Sequence, residues 1–311
     1  MKVGIVGVGL VGSTAAFAMA LEGAASEIVL VDKDENRAAA QAEDILHATP
    51  HGHPVKISSG RYEKLNSADV VVLSCGVGQK EGESRLELLG RNAEVFEEVI
   101  PQVVEAAPEA LLIVASNPVD IITQITTKIS GLPTHQVIGS GTILDTARFR
   151  SLVGSHLGIA ARSVHGYVLG EHGDSEVLIW SGIRVGGIPL EEFSKQIGKP
   201  VTDTDRRAIE KGVRKAAYRI IDGKGATNYG IGAGLSRIVR AIRDNERAVL
   251  SLSSMNRNNE GVAEVCFSVP RILGSAGLAS ELWPPISSEE HTALRQSVAV
   301  IEDSCRELGY L

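Results

Sequence analysis

The chain has 311 residues, of which 43% are hydrophobic and 22% are charged, and its formal net charge at pH 7 is −7. This length can hold two fused units around ample core, and the acidic balance argues against nucleic acid as a partner. No apolar run approaches membrane-spanning length, Met1 leads straight into the first predicted strand, and the three cysteines are widely spaced, so we expect a cytoplasmic protein without a membrane anchor or targeting peptide.

Short apolar runs alternate with helical patterns over the first half of the chain. The predicted strands cover 2–6, 27–31, 54–58, 69–74, 111–115 and 136–139, and the predicted helices cover 10–22, 34–48, 85–107 and 119–130. This alternation predicts a doubly wound parallel sheet with right-handed crossovers over residues 1–140. Ligands of such a sheet bind at the carboxyl ends of its strands, and the polar, glycine-punctuated segment 74–85 predicts a mobile loop over that edge.

The pattern changes after about residue 140. A helix is predicted near 143–155, followed by alternating segments at 163–169 and 176–180 and by helices at 202–221 and 228–243. Two strands, 248–253 and 263–269, flank the turn-rich segment 256–261, and a terminal helix covers about 287–308. We therefore predict an α/β chain whose second domain, over residues 141–311, is a mixed α+β substrate domain. No linker separates the two domains, so we expect the site to lie between them.

A glycine-rich turn, Gly-Val-Gly-Leu-Val-Gly, joins the first predicted strand to the first predicted helix. Gly7 permits the tight turn, Gly9 allows a pyrophosphate to approach the backbone, and Gly12 allows the helix to pack close to its strand. Asp32 ends the second strand, where a carboxylate binds ribose hydroxyls and repels a 2′-phosphate. The combination predicts a Rossmann-type domain that binds NAD rather than NADP; the alternative is an ordinary glycine-rich turn.

His172 lies in the non-periodic segment Gly170–Ser175, among glycines and acids, which is not the setting of a core-packing residue. Imidazole exchanges protons near neutral pH but needs a partner that fixes its tautomer. Asp145, on the preceding helix, is a candidate partner, and its charge would raise the pKa of the imidazole. The spacing alone does not establish that these two side chains meet.

Arg148 follows Asp145 by three residues and shares its helix face, whereas Arg150 lies on a different face. Arg148 has two interpretations, an intrahelical ion pair with Asp145 or a bidentate clamp for a substrate carboxylate. Asn117 follows the fifth predicted strand, where a ligand would lie, and the proline after it favours an extended conformation.

Five segments occur in the order seen in the L-lactate dehydrogenases, and the resemblance covers essentially the whole chain. They are the glycine-rich turn, Gly82–Arg85, Ser116–Asp120, Leu144–Arg148 and Gly170–Ser175. The chain resembles the bacterial form of this family, which lacks the long N-terminal arm of the vertebrate enzymes. Malate dehydrogenases share the fold and much of the site.

The resemblance implies a reaction and the residues that carry it. A hydride passes between NADH and C2 of the substrate, while His172 gives a proton to the carbonyl oxygen of pyruvate or takes one from the hydroxyl of L-lactate. Asp145 stabilises the imidazolium, Arg148 binds the carboxylate, and Arg85, brought in by the closing loop, polarises the carbonyl. Two further substrate positions are implied, Asn117 at the substrate oxygen and Thr227 beside the methyl group.

The same resemblance extends to the dinucleotide. Ile231 matches the residue that packs on the nicotinamide. The other matching positions, besides the three glycines and Asp32, are Val11, Arg37, Tyr62, Gly76, Val77, Ala115, Ser116, Asn117 and Ser140.

Gln79 bears on the choice of substrate. It stands six residues before Arg85, where lactate enzymes of the family carry Gln and malate enzymes carry Arg. Pyruvate has one carboxylate, whereas oxaloacetate would bury a second carboxylate against a neutral Gln, which costs several kcal/mol. Gln79 therefore favours pyruvate; the alternative is a solvated loop residue without a role.

Arg150 and His165 match the pair that binds fructose 1,6-bisphosphate in allosteric bacterial members of the family. In those homotetramers the pairs of two subunits face each other across a two-fold axis, where a bisphosphate would bridge the cationic groups. The resemblance therefore implies a homo-oligomer with an allosteric site. The alternative is that both side chains are merely solvated.

Two competing functions differ from this hypothesis at stated residues. A malate-type or broader 2-hydroxyacid dehydrogenase would differ at Gln79. A non-catalytic NAD-binding protein should have lost some of the catalytic side chains, which are His172, Asp145, Arg85 and Arg148. We expect no metal site, because His47, His51 and His53 cluster around two prolines without the acid or cysteine that would complete a ligand set.

Overall fold

A computed structural model describes residues 1–78, 82–256 and 263–311. Its strands are β1 Lys2–Val6, β2 Glu27–Val31, β3 Lys56–Ser59, β4 Val70–Leu73, β5 Leu111–Val114, β6 Val137–Gly139, β7 Val164–His165, β8 Val168–Leu169, β9 Val177–Leu178, β10 Arg184–Val185, β11 Ile188–Pro189, β12 Ala248–Met255, β13 Cys266–Gly274 and β14 Gly277–Glu281. Its α-helices are α1 Leu10–Glu22, α2 Glu35–Ala48, α3 Arg85–Ala106, α4 Val119–Ser130, α5 Ile143–Leu157, α6 Leu190–Gln196, α7 Asp203–Arg214, α8 Ala216–Lys224, α9 Tyr229–Arg243 and α10 Ser288–Glu307. Among these helices, none is both long and apolar enough to cross a membrane.

The first six strands form the predicted doubly wound sheet. They are parallel and lie in the order β3-β2-β1-β4-β5-β6. The strand order reverses between β1 and β4, and a crevice for a ligand opens at such a reversal, outside the carboxyl ends of the strands. The loops that follow β1, β4 and β5 therefore converge on one edge of the sheet.

The central strands are apolar because both faces of the sheet are covered. Each residue of β4 and β5 is buried. Along β5, Leu112 and Val114 join the apolar cluster on one face, and Leu111 and Ile113 join the cluster on the other face. Because successive side chains point to opposite faces of the sheet, one continuous apolar run contributes to both cores.

The sheet continues into the second half of the chain. Strand β12 is antiparallel to β6 at Ser253 and Gly139, and β13 and β14 extend the sheet beyond β12. The remaining short strands form two small separate sheets, and a third apolar cluster around Phe149 fills the space between α5, α7 and these strands. The second half is thus the expected mixture of helices and antiparallel strands.

The structure differs from the predicted elements in several places. The helix predicted over 202–221 is two helices, because the backbone at Lys215 leaves helical geometry with φ −99° and ψ 7°. No proline lies near Lys215, and Gly212, the nearest glycine, lies inside α7 three residues before the break. Strands β10, β11 and β14 and helix α6 were not predicted, and β14 pairs with β13 after a tight turn at Ser275 and Ala276.

Helix α9 packs directly against α1 and so joins the second half of the chain to the glycine-rich turn. Gly232 makes this approach possible, since a Cβ atom there would lie 2.6 Å from Cγ2 and 3.1 Å from the backbone C of Thr14. The Thr14 side chain is held in place, because its hydroxyl bonds the carbonyl of Leu10 at 2.6 Å and the amide of Asn228 at 2.9 Å.

Replacement of Gly232 by alanine should lower the free energy of unfolding by about 1–3 kcal/mol, because overpacking at the α1–α9 contact outweighs the gain in helix propensity. Gly234→Ala is the matched control on the same helix. Among the described atoms its Cβ would meet only Cγ2 of Ile143, at 3.4 Å, so that variant should gain up to about 1 kcal/mol. Denaturant unfolding at one protein concentration measures both. If both variants were stabilised, the close-packing argument would be wrong.

Candidate active site

The glycine-rich turn has the geometry that close approach of an anion requires. Gly7 has φ +88°, and a Cβ atom there would lie 2.4 Å from the backbone nitrogen of Cys75. At Gly12 a Cβ atom would lie 2.1 Å from the carbonyl oxygen of Gly7. Gly9 caps α1, and a Cβ atom there would meet no described atom within 4 Å. Packing therefore requires glycine at positions 7 and 12, where a side chain would clash. Gly9 instead leaves open space at a helix N-terminus.

Asp32 lies at the end of β2 beside this turn. One carboxylate oxygen accepts the backbone N–H of Val8 at 2.8 Å, and the other accepts that of Asp34 at 3.0 Å. The carboxylate is partly exposed and lines a cavity of about 780 Å³ together with Tyr62. Burial raises the pKa of Tyr62 to about 12, so its hydroxyl stays protonated at neutral pH. These features fit an adenosine whose ribose hydroxyls bond Asp32.

The other positions expected at the dinucleotide lie along the same edge of the sheet, with one exception. The N–H of Val77 donates to Oδ1 of Asn92 at 2.9 Å, and the buried hydroxyl of Ser116 donates to the carbonyl of Cys75. Arg37 instead lies on the exposed side of α2, 3.9 Å from Asp34. The remaining positions follow β4, β5 or β6 or begin α1 and α9, and they are Val11, Gly76, Ala115, Ser140 and Ile231.

His172 is held by its backbone in a loop after β8. The loop begins at Gly170, which has φ +87° and exchanges two backbone hydrogen bonds with Ser268 of β13, at 2.9 and 3.0 Å. The N–H of His172 donates to Oδ2 of Asp120 at 2.7 Å, and that of Glu171 donates to Ser297 at 2.9 Å. Bonds to α4, α10 and β13 thus fix the loop from three sides.

The structure brings His172 and Asp145 together, as expected. Nδ1 of His172 lies 2.5 Å from Oδ2 of Asp145, although the residues are 27 positions apart. The other oxygen of Asp145 accepts from Arg148 at 2.9 Å. The intrahelical ion pair considered for Arg148 is therefore present, and its side chain also borders the cavity beside His172. Asp145 therefore bonds both His172 and Arg148.

The charges of this cluster favour a protonated imidazole. Burial opposes a charge on His172, but the charge and hydrogen bond of Asp145 outweigh it and raise the pKa of His172 to about 9. Burial likewise opposes the charge on Asp145, yet His172 and Arg148 hold the pKa of that carboxyl below its usual range. The site therefore presents a proton donor at neutral pH.

The cavity beside His172 has a volume of about 280 Å³ and an apolar far wall. Asn117 is exposed at its rim, and the Asn117–Pro118 peptide bond is cis. The lining residues are Asn117, Pro118, Asp145, Arg148, His172, Gly173, Asp174, Glu176, Val213, Arg214, Ala217, Tyr218 and Ile221. The cavity thus offers a cation, a proton donor and an amide around a small space.

The remaining expected substrate residues are Thr227, Arg85 and Gln79. Thr227 lies between α8 and α9, is partly buried, and does not border the cavity. Arg85 is the first residue of α3. A reciprocal capping box between Ser84 and Glu87 begins this helix. Gln79, with the middle of the segment expected to be mobile, lies outside the described residues, as do positions 257–262 of the segment expected to turn.

The sequence analysis missed two buried carboxyls next to His172. Asp120 is 1% exposed and bonds the His172 backbone, and burial raises its pKa to about 6. Glu176 is 2% exposed, and burial together with the charge of Asp145 raises its pKa to about 8. Asp120 ends one of the motifs quoted above, and Glu176 directly follows another. An acidic residue beside an apolar run was the signal that could have identified them.

Arg150 and His165 lie near each other away from this cavity. Nε of Arg150 donates to the carbonyl of Gly166 at 2.9 Å, and its guanidinium stacks 5.1 Å from the centre of the Tyr167 ring. His165 is exposed on β7. The two residues expected to bind an effector are therefore close together in the fold.

Asp145→Asn should lower the pKa of His172 by more than one unit, because burial would then act against the imidazolium without an opposing charge. An NMR titration of His172, assigned with His172→Asn, measures it. In the wild type, stability from the raised pKa is fully present below about pH 6.5 and is lost as the pH rises through 9. The difference in unfolding free energy between wild type and variant should therefore shrink between pH 6.5 and 9. An unchanged pKa would contradict the assigned contact.

Two family models match the chain in sequence order. Residues 1–139 match the model of the lactate/malate dehydrogenase NAD binding domain, and residues 142–308 match that of the lactate/malate dehydrogenase alpha/beta C-terminal domain.

Relatives and solved structures agree with these matches. The chain is 55% identical to an L-lactate dehydrogenase of Thermus aquaticus over all of both chains, and 58% identical to one of Allorhizobium ampelinum over 97% of this chain and 98% of that one. A lactate dehydrogenase from a Medee basin deep-sea metagenome library superposes with a TM-score of 0.97 at 38% identity, covering 99% of each chain. The minor L-lactate dehydrogenase of Enterococcus mundtii superposes with a TM-score of 0.95 at 40% identity, covering 98% of each. The chain belongs to the lactate/malate dehydrogenase family, and its N-terminal half is the NAD-binding domain of that family.

Proposed function

We propose that this protein is an L-lactate dehydrogenase that interconverts pyruvate and L-lactate. The observation that carries the proposal is the cluster of His172, Asp145 and Arg148 at one small cavity, at the edge of an NAD-binding sheet. The names of the relatives, all at high identity over nearly the whole chain, support the same reaction.

The side chains of the cavity divide the chemistry between them. When bound, NADH supplies the hydride that reduces C2 of the substrate. His172, protonated at neutral pH, gives its proton to the carbonyl oxygen, and Asp145 keeps the ring oriented and favours its charged form. Arg148, which borders the cavity and donates to Asp145 through Nη1, binds the substrate carboxylate.

Three other residues complete the proposed substrate site. Arg85 polarises the carbonyl when the segment before α3 closes, Asn117 bonds the substrate oxygen, and Thr227 lies beside the substrate methyl group. Closure would exclude water and so strengthen each of these charge interactions. Gln79 selects pyruvate over oxaloacetate, because a neutral amide leaves the second carboxylate of oxaloacetate unpaired.

The dinucleotide would lie along the edge formed by β1, β2, β4 and β5. Its pyrophosphate would approach the backbone at Gly9, between Gly7 and Gly12, and its ribose would bond Asp32. Ile231 of α9 would pack against the nicotinamide. In this proposal, residues 1–140 would form the NAD-binding domain and residues 141–311 the substrate domain.

The protein would act as a cytoplasmic homotetramer that fructose 1,6-bisphosphate activates. Exposed apolar side chains on α1 and α2, among them Phe17 and Leu46, support association with a second copy. The neighbouring Arg150 and His165 support a phosphate site, since two such pairs facing each other would repel until an anion bridged them.

In an assay of NADH oxidation at neutral pH, kcat/KM should be orders of magnitude higher for pyruvate than for oxaloacetate. The reason is that Gln79 leaves the second carboxylate of oxaloacetate unpaired. His172→Asn is the control: it should still bind NADH, measured by fluorescence, while turnover falls by at least about 100-fold. A preference for oxaloacetate would move the protein to the malate class. Full activity of the His172 variant would refute the acid–base role.

Arg150→Gln should abolish any decrease of the pyruvate KM that fructose 1,6-bisphosphate causes, because the bridging charge on each subunit is lost. Initial rates at increasing bisphosphate concentrations measure the effect, and kcat at saturating pyruvate should stay at the wild-type value. An intact response would show that the effector binds elsewhere.

A further inference from the structure

Glu176 is a buried carboxyl for which the proposed reaction has no role. It directly follows the His172 loop, and one oxygen of its carboxyl lies within 4.8 Å of ligand atoms of both Asp145 and His172. Its Oε1 atom is shielded from solvent and has no hydrogen-bond partner in the part of the chain that the structure describes. A buried carboxylate without partners is unstable, so this group must be neutral or must be balanced by neighbouring charges.

Charged groups on α5, on α7 and in the loop of His172 act on Glu176. Helix α5 contributes Asp145 and Arg148, helix α7 contributes Arg214, and the loop itself contributes His172. On the far side of His172, α4 contributes Asp120. At the rim, the Asp174 carboxylate accepts hydrogen bonds from Lys215 at 3.0 Å and from Tyr218 at 2.9 Å. Lys215 therefore balances the charge of Asp174 outside the cluster.

The backbone and the side chain of Glu176 have different partners. Arg214 donates to the carbonyl oxygen of Glu176 at 3.0 Å and pairs with Glu210 at 3.3 Å. The Arg214 guanidinium thereby fixes the main chain at this position, and Glu210 partly neutralises the charge of Arg214. The carboxyl itself remains next to the imidazole and the Asp145 carboxylate.

We propose that Glu176 is a positioning residue for the proton of His172: its carboxyl is neutral when the imidazole is fully protonated and becomes negative as the pH rises, which holds the proton on His172. The proposal rests on the acid–base role of His172 stated above, and it extends that role by naming the group that sets its alkaline limit.

The order of the two ionisations gives this arrangement its effect. Glu176, with a pKa raised to about 8, loses its proton before His172, with a pKa of about 9. At neutral pH the carboxyl therefore adds no negative charge to a pocket that must accept an anion. At higher pH its charge appears beside the imidazolium, and an opposite charge at this distance favours the charged form of the ring.

Glu176→Gln should lower the midpoint at which His172 loses its proton by roughly one pH unit, because a neutral amide cannot supply that charge. An NMR titration of His172 in the protein without cofactor or substrate measures this directly. The alkaline limb of the pH profile of kcat/KM for pyruvate should move down by the same amount, while kcat/KM at pH 6 changes little.

Two variants separate this effect from simple damage to the loop. Glu176→Asp keeps the carboxyl and should restore the midpoint of His172 close to its wild-type value. Glu210→Gln removes a charge from the other side of Arg214 and should leave the midpoint unchanged. If the Gln variant fails to fold, the carboxyl resonance of Glu176 in the wild type still tests the proposal, because it must titrate near pH 8.

An unchanged His172 midpoint in Glu176→Gln, or a Glu176 carboxyl that titrates near pH 4, would overturn the proposal. Equal shifts in the Gln and Asp variants would also overturn it, because a charge effect requires the Asp variant to resemble the wild type. If the NMR midpoint moves but the kinetic profile does not, the coupling to Glu176 stands and the acid–base role of His172 is what fails.

Discussion

The parallel sheet is buried on both faces, and this constraint determines where the protein can place polar chemistry. Strands β1, β4 and β5 are enclosed by helices on either side, so almost every one of their residues must be apolar. Polar groups can then gather only where strands end. Because the strands are parallel, their carboxyl ends share one edge, and the strand order reverses there between β1 and β4. The glycine-rich turn, Asp32 and Asn117 all lie along that edge.

The second half of the chain completes this edge. Strand β12 pairs with β6, so the antiparallel strands continue the same sheet. The loop that carries His172 is bonded to β13, α4 and α10, which hold it against the end of the parallel strands. The contact of α9 with α1 brings the second half of the chain against the helix that follows the glycine-rich turn. A substrate and a dinucleotide can therefore meet without a separate hinge element or linker.

The electrostatics of the cavity follow from burial and the balance of charge. Asp145 is almost inaccessible to solvent, and it stays ionised because Arg148 and His172 both bond it. Removing either partner would leave a buried carboxylate with too little compensation, which costs several kcal/mol. The same burial raises the pKa of Glu176, whose Oε1 has no partner in the described parts of the chain. The pKa values of two carboxyls a few ångströms apart are thus shifted in opposite directions, because their partners differ.

The sequence by itself determined the order of the main elements, the turn at Gly7, Gly9 and Gly12, and the position of Asp32, because these depend on local periodicity and on steric limits within a few residues. The tertiary structure decided the rest. The contact between His172 and Asp145 joins residues 27 positions apart, and no local pattern requires it. The break at Lys215 is not marked by a proline; Lys215 itself and Tyr218 of α8 bond Asp174, so long-range contacts stabilise the break. Glu176 looks like an ordinary acid at the end of a motif, and its protonation state depends on burial and on charges from α5 and α7, which only the folded chain brings together.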